Sequence, residues 1–186
     1  MIRFDHVTFG YALQRPILRD FSLTVPEGGR VCLTGPSGEG KTTALRLLLG
    51  LERPRKGTVS VPEGVRFSAV FQEDRILPWK SVLENAALFS DEESARRVLT
   101  ALGLGDSLDA LPETLSGGMK RRAALGRALA HPFDVLVLDE ALTGLDSETK
   151  QRCLAAIDEA VGRRTLVLAT HDAEESHALG AETVIL

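Results

Sequence analysis

Eight consecutive residues near the start of the chain have the types and the spacing that bind a triphosphate. They match the pattern G-x-x-x-x-G-K-[ST] and are Gly35, Pro36, Ser37, Gly38, Glu39, Gly40, Lys41 and Thr42. Glycine lets the backbone turn tightly and bring its N–H groups close to phosphate oxygens. We expect the Lys41 ammonium to reach the β- and γ-phosphates, the Thr42 hydroxyl to ligate Mg²⁺, and Thr43 to lie near the α-phosphate.

The residues on either side of this loop have the patterns of a strand and a helix. Residues 31–34 form a short apolar run that predicts a buried strand, and residues 43–49 predict a helix. The N-terminus of that helix adds partial positive charge where phosphate would lie. The order of strand, glycine loop and helix favours a phosphate loop (Walker A) over a glycine-rich turn that binds nothing.

Two carboxylates close a second apolar run. Residues 135–138 show no alternation, which predicts a parallel strand buried on both faces, and Asp139 and Glu140 follow it. A carboxylate at the carboxyl end of such a strand faces the ligand crevice. We expect Asp139 to be the second Mg²⁺ partner, through water, and Glu140 to polarise the attacking water. An isolated pair of this kind could equally be a solvated strand end.

A second glycine segment precedes another predicted helix. Ser116, Gly117 and Gly118 come just before residues 119–130, which are rich in Ala, Leu and Arg. Ser116 can cap this helix, and the glycines expose N–H groups at its positive end, so the segment predicts a second anion site. One chain seldom needs two such sites for one γ-phosphate. The pattern therefore favours a dimer in which each copy lends this segment to the nucleotide of the other.

A series of motifs makes the chain resemble the ATP-binding subunit of an ABC transporter over essentially its whole length. Besides the phosphate loop and the two carboxylates, they are the Q-loop (71–72), the signature (115–119), the D-loop (141–146) and the switch histidine (170–172). The resemblance implies ATP and Mg²⁺ as ligands and ATP hydrolysis as the activity. It also implies a P-loop NTPase fold of the α/β class, an ABC-type nucleotide-binding domain with a β-rich N-terminal part and an inserted helical subdomain.

The resemblance gives roles to four further residues. Gln72 would contact Mg²⁺ or water and link the site to a membrane partner, and His171 would contact the γ-phosphate. Asp146 would shape the dimer interface and also cap the helix that starts near Ser147. Tyr11 would stack on adenine, although Tyr11 or its neighbour Phe9 could instead pack on the first sheet. We expect one domain over 1–186, with 1–72 and 115–186 as catalytic core and 73–114 as helical subdomain, whose helices span 82–89 and 91–102.

Composition excludes several classes of protein. A net charge of −4 and a pI near 5.6 argue against broad affinity for nucleic acid. Two cysteines, Cys32 and Cys153, are too few for a disulfide framework and suit a reducing compartment, where we expect both to be buried. No signal peptide is evident, and no apolar run approaches the roughly 20 residues of a membrane span. We therefore predict a cytoplasmic chain, and the resemblance implies that it lies peripherally on the cytoplasmic face of the cell membrane.

Met119 and residues 72–79 resemble the branch of this family that imports nitrate, sulfonates and taurine. This implies a homodimer or a dimer with a paralogue, integral membrane permease subunits, and indirectly an extracytoplasmic solute-binding protein, with no nucleic acid. We expect the permease to dock near Gln72, Leu77, Trp79, Leu83 and Glu84, although Trp79 could instead pack within the helical arm. The pair Arg121 and Arg122 is expected to form a solvated or dimer-edge face, and His6, His131 and His177 show no metal-binding arrangement.

Three other functions are compatible with parts of this pattern. An ABC-type ATPase could serve DNA repair, cluster assembly or translation, but the long coiled coil of the repair members is missing between the phosphate loop and the signature. A small kinase would need an acceptor pocket and would not need the segment 116–118. A regulatory module without hydrolysis is disfavoured because Lys41, Gln72, Asp139, Glu140 and His171 are all present.

Overall fold

From residue 135 onward, strands and helices alternate along the chain, which is typical of an α/β protein. A computed structural model describes residues 1–12 and 15–186. The elements are β1 (Ile2–Phe9), β2 (Leu18–Val25), β3 (Arg30–Thr34), α1 (Lys41–Leu48), β4 (Lys56–Ser60), β5 (Phe67–Val70), α2 (Val82–Ala86), α3 (Glu92–Ala101), α4 (Gly117–Ala130), β6 (Val135–Asp139), α5 (Ser147–Val161), β7 (Thr165–Ala169), α6 (Ala173–Ala178) and β8 (Glu182–Ile185). Within the described residues, the helices are too short or too polar to cross a bilayer.

The residue contacts divide the chain into two units. The first comprises residues 1–67, 134–139 and 163–186, and it holds a sheet in which β6 pairs with β7, β7 with β3, and β3 with β8, all in parallel. Every residue of β6 and β7 is buried, in agreement with the missing alternation in their sequences. Helix α1 packs against β6 and β7. The sheet therefore supplies rigid strand ends from which functional loops can start.

A smaller antiparallel sheet in the first unit has the order β2-β1-β4. Its pairing is irregular around His6 and Asp20, which both have the positive φ angles of the left-handed region, 49° and 52°. The His6 Nδ1 atom lies 2.8 Å from Asp20 Oδ1, and this exposed pair raises the pKa of His6 above its usual value. Gly57 on β4 passes so close to the backbone of Asp5 and His6 that a Cβ there would clash.

The second unit comprises residues 68–133 and 140–162 and is mostly helical. Helices α2, α3 and α4 pack around a buried apolar cluster that includes Leu83, Leu99, Leu104 and Leu115. The helix predicted over 82–89 is α-helical only to Ala86 and continues as a 3₁₀ turn over Ala87–Phe89. The helix predicted over 91–102 begins after the cap Asp91 and ends at Ala101, because Gly103 takes a φ of 73° and turns the chain.

Both cysteines are buried, as the sequence predicts. Cys32 lies in β3 and is 1% exposed, and Cys153 lies in α5 and has no exposed surface. Burial raises the pKa of the Cys153 thiol to about 11, so the thiol stays protonated near neutral pH. Both residues therefore act as small apolar core residues.

Asn85 ties the loop before α2 to that helix. Its Oδ1 accepts a hydrogen bond from the Leu77 N–H at 2.7 Å. Its Nδ2 donates to the carbonyl oxygens of Leu77, Lys80 and Ser81 at 3.1, 2.9 and 3.0 Å. A buried amide with donors and acceptors all used fixes one loop conformation, because any alternative leaves polar atoms without partners.

We expect Asn85→Leu to destabilise the chain by about 2–4 kcal/mol, because it leaves the Leu77 N–H and several carbonyls without their partner. The measurement is the urea midpoint followed by circular dichroism. Glu84→Gln is the matched control, because Glu84 is an exposed neighbour of Asn85. The Glu84 carboxylate accepts the Ser81 N–H at 2.8 Å, and the glutamine amide oxygen can still accept it. An unchanged midpoint for Asn85→Leu would show that the loop does not depend on this amide.

Candidate functional site

The phosphate loop joins β3 to α1 in the first unit. Gly38, at its tip, has a φ of 88°, and a Cβ added there would meet no atom of the described residues within 4 Å. Gly40 has a φ of 109° and caps α1, and among the described residues no side chain supplies the cap. The loop thus presents open backbone at the positive end of a helix, the arrangement that binds phosphate.

Lys41 is turned back into this loop. Its Nζ donates to the carbonyl oxygens of Gly35 at 2.6 Å and Pro36 at 3.0 Å, and the side chain is buried. A buried ammonium is stable only with such acceptors, so the lysine is held beside the loop backbone by the loop itself. Its charge therefore lies beside the backbone of the loop. Thr42 is exposed in the first turn of α1, and Thr43 is buried.

The register of the parallel sheet places the other predicted site residues of the first unit, Asp139 and His171, at the edge where the phosphate loop begins. Asp139 is level with Ala169 of β7, which is level with Leu33 of β3. The phosphate loop begins two residues after Leu33, and His171 follows Ala169 by two residues and is exposed. Because these strands are parallel, their carboxyl ends share an edge with the phosphate loop, which is where α/β proteins bind ligands.

The oxygen ligands at this edge fit Mg²⁺. Asp139 is 2% exposed and ends β6, and the Thr42 hydroxyl lies in α1, which packs against β6. Mg²⁺ prefers a few protein oxygens together with waters and substrate phosphates over an all-protein cage. The described residues contain no group of three or more His, Cys, Asp or Glu that could hold a metal by itself, and the Mg²⁺ roles of Thr42 and Asp139 stay predictions.

A cavity of about 530 Å³ opens beside the phosphate loop. Its lining residues come from the loop, the segment before β2, the start of β2 and residue 186, and are Arg15, Pro16, Ile17, Arg19, Gly38, Glu39 and Leu186. Sequence reasoning missed Arg15 and Arg19, because neither belongs to a motif. Tyr11 is 58% exposed and its ring packs edge-on against Phe9, with centroids 5.2 Å apart. Its stacking on adenine stays a prediction.

Glu140 follows Asp139 in the chain and belongs to the second unit. Its φ of 51° lies in the left-handed region, which residues with a Cβ seldom adopt. Its carbonyl oxygen accepts the Thr143 N–H at 3.3 Å, and its Oε2 accepts the Thr143 hydroxyl at 3.1 Å. The side chain is half-buried and its carboxylate is oriented by a neighbour, as a positioned general base requires.

Two helix caps predicted from the sequence are confirmed in this unit. Ser116 accepts the Met119 N–H at 3.2 Å and caps α4, and Asp146 accepts the Thr149 N–H at 2.9 Å and caps α5. The hydrogen bond from the Thr149 N–H lowers the pKa of Asp146. Gly117 is exposed, and a Cβ added there would meet no atom of the described residues within 4 Å. The α4 N-terminus is therefore open, while its role with Gly118 as a second anion site stays a prediction.

Only some of the residues expected to dock the permease are exposed on the second unit. Trp79 is 71% exposed, so the alternative in which it packs within the helical arm is wrong. Leu83 is buried in the apolar cluster and cannot contribute to docking, which corrects the expectation for that residue. Gln72 and Glu84 are exposed, and Leu77 is half-buried.

Arg121 is not the solvated residue that one of the two sequence expectations describes, Arg122 is half-buried, and the alternative that the pair lies at a dimer edge stays a prediction. The Arg121 side chain is 17% exposed, with its Nε 2.7 Å from Asp74 Oδ1 and its Nη1 donating to the Glu140 carbonyl oxygen at 3.0 Å. Arg122 donates to the carbonyl oxygens of Leu102 at 2.9 Å and Gly103 at 3.1 Å. Both guanidiniums find acceptors within the unit, because segments far apart in the sequence bring carbonyls to α4.

The likeness to known proteins is extensive. A family model described as ABC transporter matches residues 18–143. The aliphatic sulfonates import ATP-binding protein SsuB 1 of Paracoccus denitrificans (strain Pd 1222) is 41% identical over 180 residues, which cover 92% of this chain and 74% of that protein. The protein of the same name from Rhodococcus jostii (strain RHA1) is 38% identical over 195 residues, covering 100% and 80%.

Solved structures agree. A dimeric post-hydrolysis state of the ATP-binding cassette MJ0796, bound to ADP and Pi, matches with a TM-score of 0.88 at 25% identity, covering 100% of this chain and 94% of that one. A bacterial Atm1-family ABC exporter with ATP bound matches with a TM-score of 0.88 at 27% identity, covering 100% and 36%. The α/β nucleotide-binding fold and the resemblance predicted from the motifs are confirmed, and the chain belongs to the ABC transporter family.

Proposed function

We propose that this chain powers the import of an aliphatic sulfonate or a similar small anion by hydrolysing ATP in a dimer. That it is an ATP-hydrolysing subunit of ABC type follows from its family. The observation that carries the proposal is the phosphate loop with the Lys41 ammonium inside it, at the same sheet edge as Asp139. The choice of cargo rests on the sulfonate importers, which share about two-fifths of its residues.

The first unit supplies the phosphate-binding residues. Loop N–H groups, the α1 N-terminus and Lys41 would bind the phosphates, and Thr42 and Asp139 would hold Mg²⁺. The ion, when bound, neutralises charge that develops on the phosphates during transfer. Asp139 is buried at a strand end, so its carboxylate needs little reordering when the ion binds.

Hydrolysis needs an oriented water, and Glu140 is the residue we assign to it. Its carboxylate would accept the water's proton as the oxygen attacks the γ-phosphorus, while His171 steadies the γ-phosphate. Ser116, Gly117 and Gly118 of a second copy, with Asp146 at the interface, would complete each site. Because these contacts need the γ-phosphate, ATP favours the closed dimer and phosphate release favours the open one.

The partners follow from this cycle. Permease subunits would dock on the second unit around the exposed Trp79 and Gln72, which keeps the chain on the cytoplasmic face of the membrane. A large exposed tryptophan is typical of an interface residue, because it buries much area at little entropic cost. An extracytoplasmic solute-binding protein would deliver the anion to the permease without touching this chain.

Co-purification tests this function. The Glu140→Gln variant, tagged and isolated with ATP from gently solubilised native membranes, is expected to bring along a multi-span membrane protein. Trp79→Ala in the same background removes the proposed docking residue and should recover less of the membrane protein. Recovery of soluble partners alone would overturn the transport role and favour an ABC-type ATPase of another process.

A further inference from the structure

One guanidinium in the second unit contacts both the segment that contains Gln72 and the turn that contains Glu140. Arg121, on α4, lies with its Nε 2.7 Å from Asp74 Oδ1, and its Nη1 donates to the Glu140 carbonyl oxygen at 3.0 Å. Asp74 lies two residues after Gln72, and Glu140 lies in the turn after β6. The two ends are 66 residues apart in the sequence, and the Arg121 side chain contacts both.

The Glu140 end of the bridge is strained. A φ of 51° is unfavourable for a residue with a Cβ, and such strain persists only where surrounding contacts over-determine it. Its carbonyl oxygen receives the Arg121 Nη1 donor and the Thr143 N–H. The charged donor is the stronger of the two, and it fixes the direction of the peptide from which the Glu140 side chain extends.

The Asp74 end of the bridge is anchored by the same helix. Arg127 donates to the carbonyl oxygens of Arg75 at 2.9 Å and Asp74 at 3.3 Å. Arg75 itself has a φ of 46°, and its guanidinium lies over the Phe71 ring, 5.0 Å from the centroid. The segment 71–75 therefore contacts α4 at several points. A movement of this segment would change the distance between Arg121 and Asp74.

We propose that Arg121 is a positioning residue for ATP hydrolysis, which holds the backbone of Glu140 in its strained conformation and couples it to the segment that contains Gln72. The charge of Asp74 holds the guanidinium beside the segment 71–75, and the hydrogen bond from the guanidinium orients the Glu140 peptide. This inference rests on the proposed role of Glu140 as the general base. It predicts that Arg121 affects the chemical step and leaves nucleotide binding by the phosphate loop untouched.

Steady-state ATP hydrolysis by the full chain, assayed alone and with its co-purified membrane partner, tests the proposal. Arg121→Gln should lower kcat about 10- to 100-fold, the effect of a displaced catalytic group, with KM for ATP changed less than about twofold. Arg121→Lys keeps the charge but has one donor group for two acceptors, so its kcat should lie between those of Gln and wild type. Wild-type kcat in either variant would overturn the proposal.

A double-mutant cycle separates positioning from mere structural support. Asp74→Asn should lower kcat in wild type but have little further effect in Arg121→Gln, because the two act through one chain of contacts. Arg96→Gln removes an exposed arginine that pairs with Glu92 on α3, and it controls for the change in charge. Additive effects on kcat, or a parallel loss of ATP affinity and thermal stability, would mean that Arg121 is only a structural bridge.

The parallel assay of Glu140→Gln separates this inference from the function it rests on. If Glu140→Gln loses turnover while Arg121→Gln keeps full turnover, the positioning role of Arg121 is wrong and the general-base assignment of Glu140 stands. Full turnover in Glu140→Gln contradicts the general-base assignment, and the positioning role with it.

Discussion

Replacing Glu140 with Gln should reduce ATP turnover by about 10²- to 10⁴-fold, the range for loss of a positioned general base, while ATP binding is kept. The amide has the shape of the carboxylate but cannot accept a proton from water. It can still accept the Thr143 hydroxyl, which donates to Glu140 Oε2 at 3.1 Å. The backbone conformation at position 140 should therefore survive the change.

ATP binding should survive because the residues that we propose to contact phosphate belong to a different segment. The phosphate loop and Lys41 form their own hydrogen bonds within the first unit, none of which involves Glu140 among the described contacts. With hydrolysis blocked, a γ-phosphate that favours the closed state should hold the dimer together for longer. Size-exclusion chromatography with ATP should then show more dimer for the variant than for wild type.

The decisive comparison uses phosphate release for turnover and calorimetry for ATP affinity. Glu148→Gln is the matched control, since Glu148 is an exposed acid in the first turn of α5 in the same unit. Its turnover should equal that of wild type. Wild-type turnover in Glu140→Gln would show that another residue activates the water.

The parts of the site that sequence predicts are those whose signal is local. Gly38 and Gly40 allow the positive φ angles of the loop, whose backbone depends on a few consecutive residues. Ser116 and Asp146 each accept the N–H of the residue three positions later. The two buried strands β6 and β7 are likewise visible as unbroken apolar runs. In each case the residues that determine the structure are neighbours in the chain.

What sequence could not predict depends on contacts between distant segments. Arg121 looks solvated because arginine usually is, yet Asp74 and the Glu140 carbonyl reach it from two other parts of the unit. Leu83 looks available for docking, yet three helices close over it. The strained φ of Glu140 has no signature at all, because its residue type alone would favour an ordinary conformation.

Lys41→Ala should abolish useful ATP binding, with a loss of affinity of about 100-fold or more. A charge-assisted hydrogen bond contributes about 1.5–3 kcal/mol, and the ammonium can reach more than one phosphate oxygen. Its removal also takes a buried donor from the Gly35 and Pro36 carbonyls, which lie 2.6 and 3.0 Å from Nζ. The loop would then lose the group that holds its two sides together.

Calorimetric titration with ATP and Mg²⁺ measures this loss, and thermal unfolding shows whether the fold persists. Lys56→Ala is the matched control, because Lys56 is an exposed lysine in β4 of the same unit. Lys41→Arg sharpens the test: it keeps the charge, but a planar guanidinium is larger and cannot take the place of a compact ammonium among the loop carbonyls. Affinity within about threefold of wild type in Lys41→Ala would mean that ATP does not place its phosphates on this loop, since loss of a charge-assisted contact costs more than that.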